Sequence, residues 1–142
     1  MRVVTIDELD AGPVAGVVSL LSVEATVSLL QALVAAGGDA PLWCVTRGAV
    51  SVVDGDVVDP YASAVWGLGR VIGLEHPDRW GGLIDLPTAW GERTSGLLCS
   101  VLSGATGEDH TAIRGDEVLG CRLSRATTSA RGRPRLGGRG PR

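Results

Sequence analysis

The chain has 142 residues, of which 44% are hydrophobic and 20% charged, and its net charge is −3 at pH 7. This composition is typical of one globular domain, and the apolar runs are far too short for a membrane span. All 13 basic residues are arginine, which excludes phosphate-binding loops and Schiff bases that need a lysine from this chain. The acidic stretch Asp7–Asp10 does not fit a secretory signal, so we expect a cytoplasmic protein.

Charge is unevenly distributed along the chain. All 16 acidic residues and eight of the 13 arginines precede position 126, which gives −8, whereas five arginines follow it and give +5. The last 17 residues, 126–142, have almost no apolar content and are predicted to be a disordered Arg/Gly-rich tail. The acidic body argues against a broad nucleic-acid or membrane surface.

The three cysteines, Cys44, Cys99 and Cys121, are far apart and lack C-x-x-C spacing. Neither a zinc site nor a disulfide framework is therefore indicated. We expect three buried, reduced thiols.

Apolar patterning predicts the elements of the first half. Val3–Ile6 is predicted to be a short strand and Val14–Leu21 a buried strand. Ser22–Ala36 is predicted to be a helix that ends at two glycines, with an apolar stripe formed by Val23, Val27, Leu30 and Val34, and with Leu29 and Leu33 beside it. The continuous apolar run Leu42–Thr46 suits a central parallel strand that is covered on both faces.

A second helix is predicted from Pro60 to Glu75, because Asp59 suits an N-cap and proline suits the first helical position. Its glycines at 67, 69 and 73 spell G-x-G-x-x-x-G and not the dinucleotide-binding G-x-G-x-x-G, so we do not interpret them as a nucleotide loop. Gly69 and Gly73 lie four residues apart and share one helix face. They therefore predict close approach to a neighbouring sheet or helix.

The remaining elements complete an alternating order. Leu83–Leu86 is predicted to be a buried strand, Trp90–Leu102 a helix, and Thr111–Arg114 with Val118–Leu123 a hairpin. The alternation predicts an α/β fold, with a mainly parallel sheet, flanking helices and a C-terminal β-hairpin.

Candidate catalytic groups are few. The motifs G-x-S-x-G and H-E-x-x-H are absent. His76 ends a helix, where its side chain is expected over the last carbonyls, and His110 is expected to be solvent-exposed. Arg70 could contact a phosphate, although a local ion pair is the simpler expectation. Three acidic pairs could supply an acid and a base, but all fall at turns where carboxylates solvate and cap: Asp7-Glu8, Glu108-Asp109 and Asp116-Glu117.

Five ordered segments resemble the structural half of the ketoreductase region in modular type I polyketide synthases: Leu42–Val50, Ala64–Arg70, Gly73–Pro77, Arg79–Gly82 and Asp85–Pro87. Looser similarity extends to about residue 125. The resemblance implies a truncated Rossmann-like subdomain over residues 1–125. It also implies a structural signature that consists of Trp43, Arg47, Trp66, Gly69, Arg70, Glu75, His76, Pro77, Trp80 and Asp85.

In that family the structural half holds no cofactor and supports a catalytic half. The catalytic half binds NADPH and reduces a β-ketoacyl group on an acyl carrier protein, using Ser, Tyr and Lys. Here the only tyrosine, Tyr61, is followed by Val65 where a Tyr-x-x-x-Lys pair needs lysine. The resemblance thus implies a scaffold that is not an enzyme on its own and has no catalytic, cofactor-binding or metal-binding residues. Its implied partners are a ketoreductase catalytic subdomain or other polyketide synthase domains.

The resemblance further implies truncation at both ends and a shortened connection between Leu21 and Val23. Downstream, Arg133-Pro134-Arg135 is similar to the family's linker, but Leu136–Gly140 replaces the apolar strand expected after it. Three alternatives stay open. The chain could contribute to NADPH-dependent reduction in trans with a separate catalytic half, bind nucleic acid through its Arg/Gly tail, or fold incompletely because missing strands leave an open sheet edge.

Overall fold

The computed structural model describes residues 14–125, so the expected strand Val3–Ile6 and the tail 126–142 lie outside the described residues. Strands and helices alternate in this part of the chain. In order they are β1 (Val17–Ser19), α1 (Val23–Ala36), β2 (Leu42–Arg47), α2 (Pro60–Glu75), β3 (Trp80–Leu86), α3 (Thr94–Leu102), β4 (His110–Arg114) and β5 (Glu117–Gly120), with a short 3-10 turn at Pro77–Arg79. No helix within residues 14–125 is long and apolar enough to cross a membrane.

The strands form one sheet in the order β1-β2-β3-β4-β5. The first four strands are parallel, and β5 runs antiparallel to β4. The predicted α/β fold with a mainly parallel sheet and a C-terminal hairpin is therefore confirmed. β2 and β3 have neighbours on both sides, and residues 42–46 and 82–86 are buried, as expected for central parallel strands.

Helices cover both faces of the sheet. α1 and α2 pack on one face, where Leu29, Leu33, Leu42, Cys44, Val65, Trp66 and Leu83 form a core cluster. α3 packs on the other face, where Val101 contacts a cluster that contains Trp43, Val45, Ile84, Leu86 and Ile113. The two clusters follow from strand geometry, because successive side chains of β2 point to opposite faces.

The first helix begins and ends as predicted. Ser22 is the N-cap and accepts a hydrogen bond from the N–H of Ala25 at 3.4 Å, and Gly37 closes the helix with a φ of +71°. The fully buried positions are Thr26, Leu29 and Leu33. Of the predicted stripe, Val23 and Leu30 are partly buried against the core, whereas Val34 is 43% exposed. Thr26, a polar residue, occupies a core position, where its hydroxyl lies 3.2 Å from the buried hydroxyl of Ser19.

Two predicted elements are too long. The strand expected over Val14–Leu21 is only three residues long and is only partly buried, since Ser19 is 3% but Val18 47% exposed. β1 is an edge strand of the described sheet and pairs only with β2 there. The helix expected from Trp90 begins only at Thr94. The residues before it form a turn, in which the Thr94 hydroxyl accepts a hydrogen bond from the N–H of Gly91 at 3.0 Å.

The second helix confirms both predictions made for it. Asp59 accepts a hydrogen bond from the N–H of Tyr61 at 2.9 Å and caps the helix. A Cβ added at Gly69 would lie 2.6 Å from Cδ2 of the buried Leu83, and one at Gly73 would lie 3.0 Å from Nε1 of Trp80. Only glycine permits this close approach of helix and sheet.

We expect Gly69→Ala and Gly67→Ala to have opposite effects on stability. Gly69→Ala should lower the free energy of unfolding by about 1–2 kcal/mol, because overpacking against Leu83 exceeds the gain in helix propensity. A Cβ at Gly67 meets nothing within 4 Å, so Gly67→Ala should raise stability by about 0.5–1 kcal/mol. Urea denaturation measures both changes, and shifts of the two midpoints in the same direction would contradict this account.

The three cysteines differ, which corrects the expectation of three buried thiols. Cys44 is buried in the core between the sheet and its helices, whereas Cys99 and Cys121 are exposed. Burial raises the pKa of the Cys44 thiol to about 11. Cys44 is therefore expected to be inert.

Titration with a disulfide reagent at pH 8 should modify two thiols quickly in the folded protein and the third only in denaturant, because the thiolate is the reactive form. In the double variant Cys99→Ser/Cys121→Ser the fast phase should disappear. Three equal rates in the folded protein would show that Cys44 is accessible.

Candidate functional site

Parallel α/β sheets bind ligands in the crevice outside the carboxyl ends of their strands. At this edge β2 ends near Thr46, β3 near Asp85 and β4 at Arg114. The loop between β2 and α2 adds Asp56. These four polar side chains meet at one point, which makes this edge the candidate site.

Asp85 is the centre of the cluster and is 0% exposed. One carboxylate oxygen accepts hydrogen bonds from the Thr46 hydroxyl at 2.8 Å and from the N–H of Ala49 at 2.7 Å. The other oxygen accepts from Nη2 of Arg114 at 2.7 Å. Trp66 donates its indole N–H to the Thr46 hydroxyl at 2.9 Å. The buried charge is thus paired and hydrogen-bonded, as its burial requires.

Arg114 uses all of its donors within the protein. Nε lies 3.1 Å from both carboxylate oxygens of Asp56, and Nη1 donates to the carbonyls of Asp85 and Ile113 at 3.2 and 3.0 Å. Nη2 donates to the carbonyl of Val50 at 3.0 Å as well as to Asp85. Because arginine has five N–H groups, none is left for a bound anion.

Electrostatics reinforce the cluster. Burial disfavours the charged guanidinium of Arg114, but the hydrogen bonds and charges of Asp85 and Asp56 outweigh burial and raise its pKa above the ordinary value. The backbone N–H of Val52, followed by that of Val53 and by Arg114, holds the pKa of Asp56 below its usual range. Both groups therefore stay charged at neutral pH.

The cluster fixes the loop between β2 and α2 across the end of the sheet. The loop is also closed at its base, where Asp59 donates its N–H to the carbonyl of Gly48 at 2.8 Å. The cavity left beside Arg114 is only about 160 Å³. Ligand pockets are typically about 300–1,000 Å³, so the crevice at β3 and β4 has no room for a dinucleotide.

A larger groove of about 660 Å³ lies at the same edge, between the ends of β1 and β2 and the starts of α1 and α2. Arg47 and Tyr61 line it, but so do Glu24 in the first turn of α1 and Asp59 at the start of α2. Carboxylates at both helix N-termini repel a diphosphate. The groove therefore does not fit the diphosphate of NADPH.

Five of the ten signature residues lie in the interior or against it. Asp85 is the centre of the cluster, and Trp66 donates a hydrogen bond to its member Thr46. Trp43 packs on Gly81 and Gly82 of β3. On α2, Gly69 leaves space for the side chain of Leu83, and Gly73 contacts the ring of Trp80. These side chains connect α2, β2 and β3 into one unit.

The other five signature residues do not join the cluster. Arg47, Arg70 and Glu75 are exposed and form no ion pair within residues 14–125. His76 ends α2 through its backbone N–H, which donates to the carbonyl of Ile72 at 2.8 Å. Pro77 begins the 3-10 turn that leads into β3.

His110 corrects an expectation. It begins β4, and only 22% of its side chain is exposed. Its Nδ1 lies 2.9 Å from the carboxylate of Asp109, and the centroid of its ring lies 6.1 Å from the centroid of the Trp66 ring.

The neighbouring Glu108 forms an ion pair with Arg122, and this pairing lowers the pKa of Glu108. In the part of the chain that the structure describes, no group of three His, Cys, Asp or Glu side chains could hold a metal ion.

The sequence does not indicate that three members of the cluster, Thr46, Asp56 and Arg114, are site residues. It does contain one indication that Asp85 has a partner. Asp85 stands inside the apolar run Leu83–Leu86, and a buried carboxylate in such a run requires a cationic or hydrogen-bonding partner.

Comparison with known proteins agrees with this architecture. Residues 2–123 match the family described as the Rossmann fold domain of the polyketide synthase extender module SpnB. The chain is 53% identical over 109 residues to the pikromycin polyketide synthase component PikAII of Streptomyces venezuelae, an alignment that covers 76% of this chain and 3% of that protein. It is 45% identical over 139 residues to polyketide synthase GfsA of Streptomyces halstedii, covering 87% of this chain and 2% of that protein.

Solved ketoreductases are also similar. An A1-type ketoreductase superposes with a TM-score of 0.73 at 46% identity, over 87% of this chain and 30% of its own. An A-type ketoreductase from a modular polyketide synthase gives a TM-score of 0.68 at 57% identity, over 72% of this chain and 22% of its own. The chain thus spans a small part of each relative. It belongs to the family of Rossmann-fold domains of polyketide synthase extender modules.

Proposed function

We propose that residues 1–125 are the structural part of a modular polyketide synthase ketoreductase, which supports a catalytic part and neither binds NADPH nor reduces a substrate itself. The observation that carries this proposal is the chemistry at the carboxyl end of the sheet. The ion cluster of Asp85, Arg114 and Asp56 occupies the ends of β3 and β4, and the groove at β1 and β2 is lined by the carboxylates of Glu24 and Asp59.

Two further observations support a non-catalytic role. The chain has no lysine, so it cannot assemble a Ser/Tyr/Lys set. The similar ketoreductases named above are more than three times as long as the part this chain matches. The cytoplasmic location expected from the sequence stays a prediction.

The outer face of α2 suits contact with the catalytic part. α2 buries Val65, Trp66, Gly69 and Ile72 against the sheet, yet Val71 is 48% and Leu74 83% exposed on its outer side. Ala64 and Gly67 are exposed at the same helical spacing. An exposed apolar stripe that is bordered by charged side chains is typical of an interaction surface. This face is therefore the docking surface that we propose.

Calorimetric titration with NADPH tests the first part of the proposal. We expect no saturable binding to the full chain at concentrations up to about 1 mM, which corresponds to a binding free energy of only about −4 kcal/mol. Saturable binding below this concentration would overturn the non-catalytic assignment.

Co-expression with the catalytic part of a similar ketoreductase tests the second part. A stable complex is expected, and Leu74→Asp should abolish it. Leu123→Asp is the matched control, because Leu123 is fully exposed but follows β5, whereas α2 packs on β2 and β3. Equal loss with both variants, or no complex with the unaltered chain, would contradict the proposed surface.

A second candidate function is NADPH-dependent β-ketoacyl reduction in trans, which the same docking surface favours. Reductase activity of the co-expressed complex above that of the catalytic part alone would establish it. Nucleic-acid binding through the tail gains no support, because the relatives named above are polyketide synthases and ketoreductases.

A further inference from the structure

The outer edge of β1 has no strand beside it within residues 14–125. Val17 donates its N–H to the carbonyl of Pro41 at 2.8 Å, so the backbone groups of Val17 face β2. Those of Val18, one residue further, face the outer edge. Val18 in this strand and Val14 just before it are 47% and 56% exposed. An edge with outward backbone groups and apolar side chains is a template for another strand.

The chain itself contains a segment suited to this edge. Val3, Val4, Thr5 and Ile6 are four consecutive β-branched residues, which have high strand propensity. The family match begins at residue 2 and ends at residue 123. The N-terminal segment thus lies inside the matched region, whereas the Arg/Gly tail lies outside it.

The length of the connection selects an orientation. Residues 7–16 separate Ile6 from Val17, which is ten residues. A parallel neighbour requires a crossover of about a dozen residues or more, whereas antiparallel neighbours can be joined by a short loop. Gly12 and Pro13 in this connection suit a turn. The length of this connection therefore favours the antiparallel orientation.

We propose that the outer edge of β1 is a strand-addition site, and that Val3–Ile6 of the same chain occupies it as an antiparallel strand. The added strand gives the backbone groups of Val18 partners and covers part of its side chain. The edge of β1 that is open in the described sheet is then covered by the chain itself. This proposal is independent of any contact with a catalytic part.

Amide hydrogen exchange of the full chain tests the proposal at one residue. The N–H of Val18 faces the outer edge, so it is protected only if another strand bonds to it. We expect its exchange to be at least tenfold slower than that of an unprotected amide. Exchange at the unprotected rate, with Val17 and Ser19 still protected, would overturn the proposal.

A double proline variant identifies the occupant. One of two adjacent strand residues directs its N–H toward β1, so Val4→Pro/Thr5→Pro removes that donor in either register. Protection of Val18 should be lost, while Asp10→Pro in the connection should leave it unchanged. Protection that survives the double variant would overturn the proposal, and protection that rises with protein concentration would assign the edge to a second copy instead.

Discussion

Replacing Arg114 with alanine is expected to lower the free energy of unfolding by about 3–5 kcal/mol, the usual cost of leaving one buried charge without its partner. Asp85 is 0% exposed, and its carboxylate would lose the only cation that contacts it among the described residues. The loop held by Asp56 would be released at the same time. Urea denaturation followed by tryptophan fluorescence measures the loss.

Arg122→Ala is the matched control. Arg122 also pairs with a carboxylate, that of Glu108, but 66% of its side chain is exposed. An exposed pair contributes little to stability and is screened by salt. Removing it should therefore shift the urea midpoint far less than Arg114→Ala does. Similar small losses for both variants would show that the cluster at the end of the sheet does not hold the fold together.

The second large effect is expected for Gly82→Ala. Gly82 has a φ of +147°, and a Cβ there would lie 2.7 Å from the carbonyl oxygen of Asp109 and 2.8 Å from the ring of Trp43. The same Asp109 carbonyl accepts a hydrogen bond from the N–H of Leu83 at 2.7 Å, so it cannot move without weakening the contact between β3 and the chain entering β4. Backbone strain of about 1–3 kcal/mol and overpacking of about 1–3 kcal/mol should combine to a loss of about 3 kcal/mol or more.

Thermal unfolding measures this effect. A loss of about 3 kcal/mol corresponds to a decrease in Tm of roughly 12 °C or more in a domain of this size. Gly38→Ala is the control, since a Cβ at Gly38 meets nothing within 4 Å and the residue has no positive φ. It should change Tm little or raise it slightly. Equal Tm values for the two variants would contradict the proposed packing of Trp43 on the glycine pair.

The fold was largely predictable where local chemistry sets it. Asp59 and Pro60 define the start of α2, and the spacing of Gly69 and Gly73 predicts the face that contacts β3. The extent of β1 and the burial of His110 were not predictable, because both depend on where the strand lies in the sheet. The buried face of α1 was misplaced since Thr26, a polar residue, occupies a core position through its bond to Ser19.

The candidate site was less predictable. Resemblance identifies Asp85 as a signature residue, but its partners lie far away in sequence: Arg114 is 29 residues from Asp85 and 58 residues from Asp56. No periodicity or short motif connects positions so distant. Only the need of a buried carboxylate for a partner could have indicated that one exists.

The position of Arg114 also has a consequence for synthesis of the chain on the ribosome. Asp85 is made 29 residues earlier, and it has no buried counter-charge until β4 emerges. The sheet can therefore reach its final stability only after the C-terminal hairpin has left the exit tunnel. Nascent chains arrested before residue 114 should remain sensitive to protease, whereas those released beyond the hairpin should become resistant.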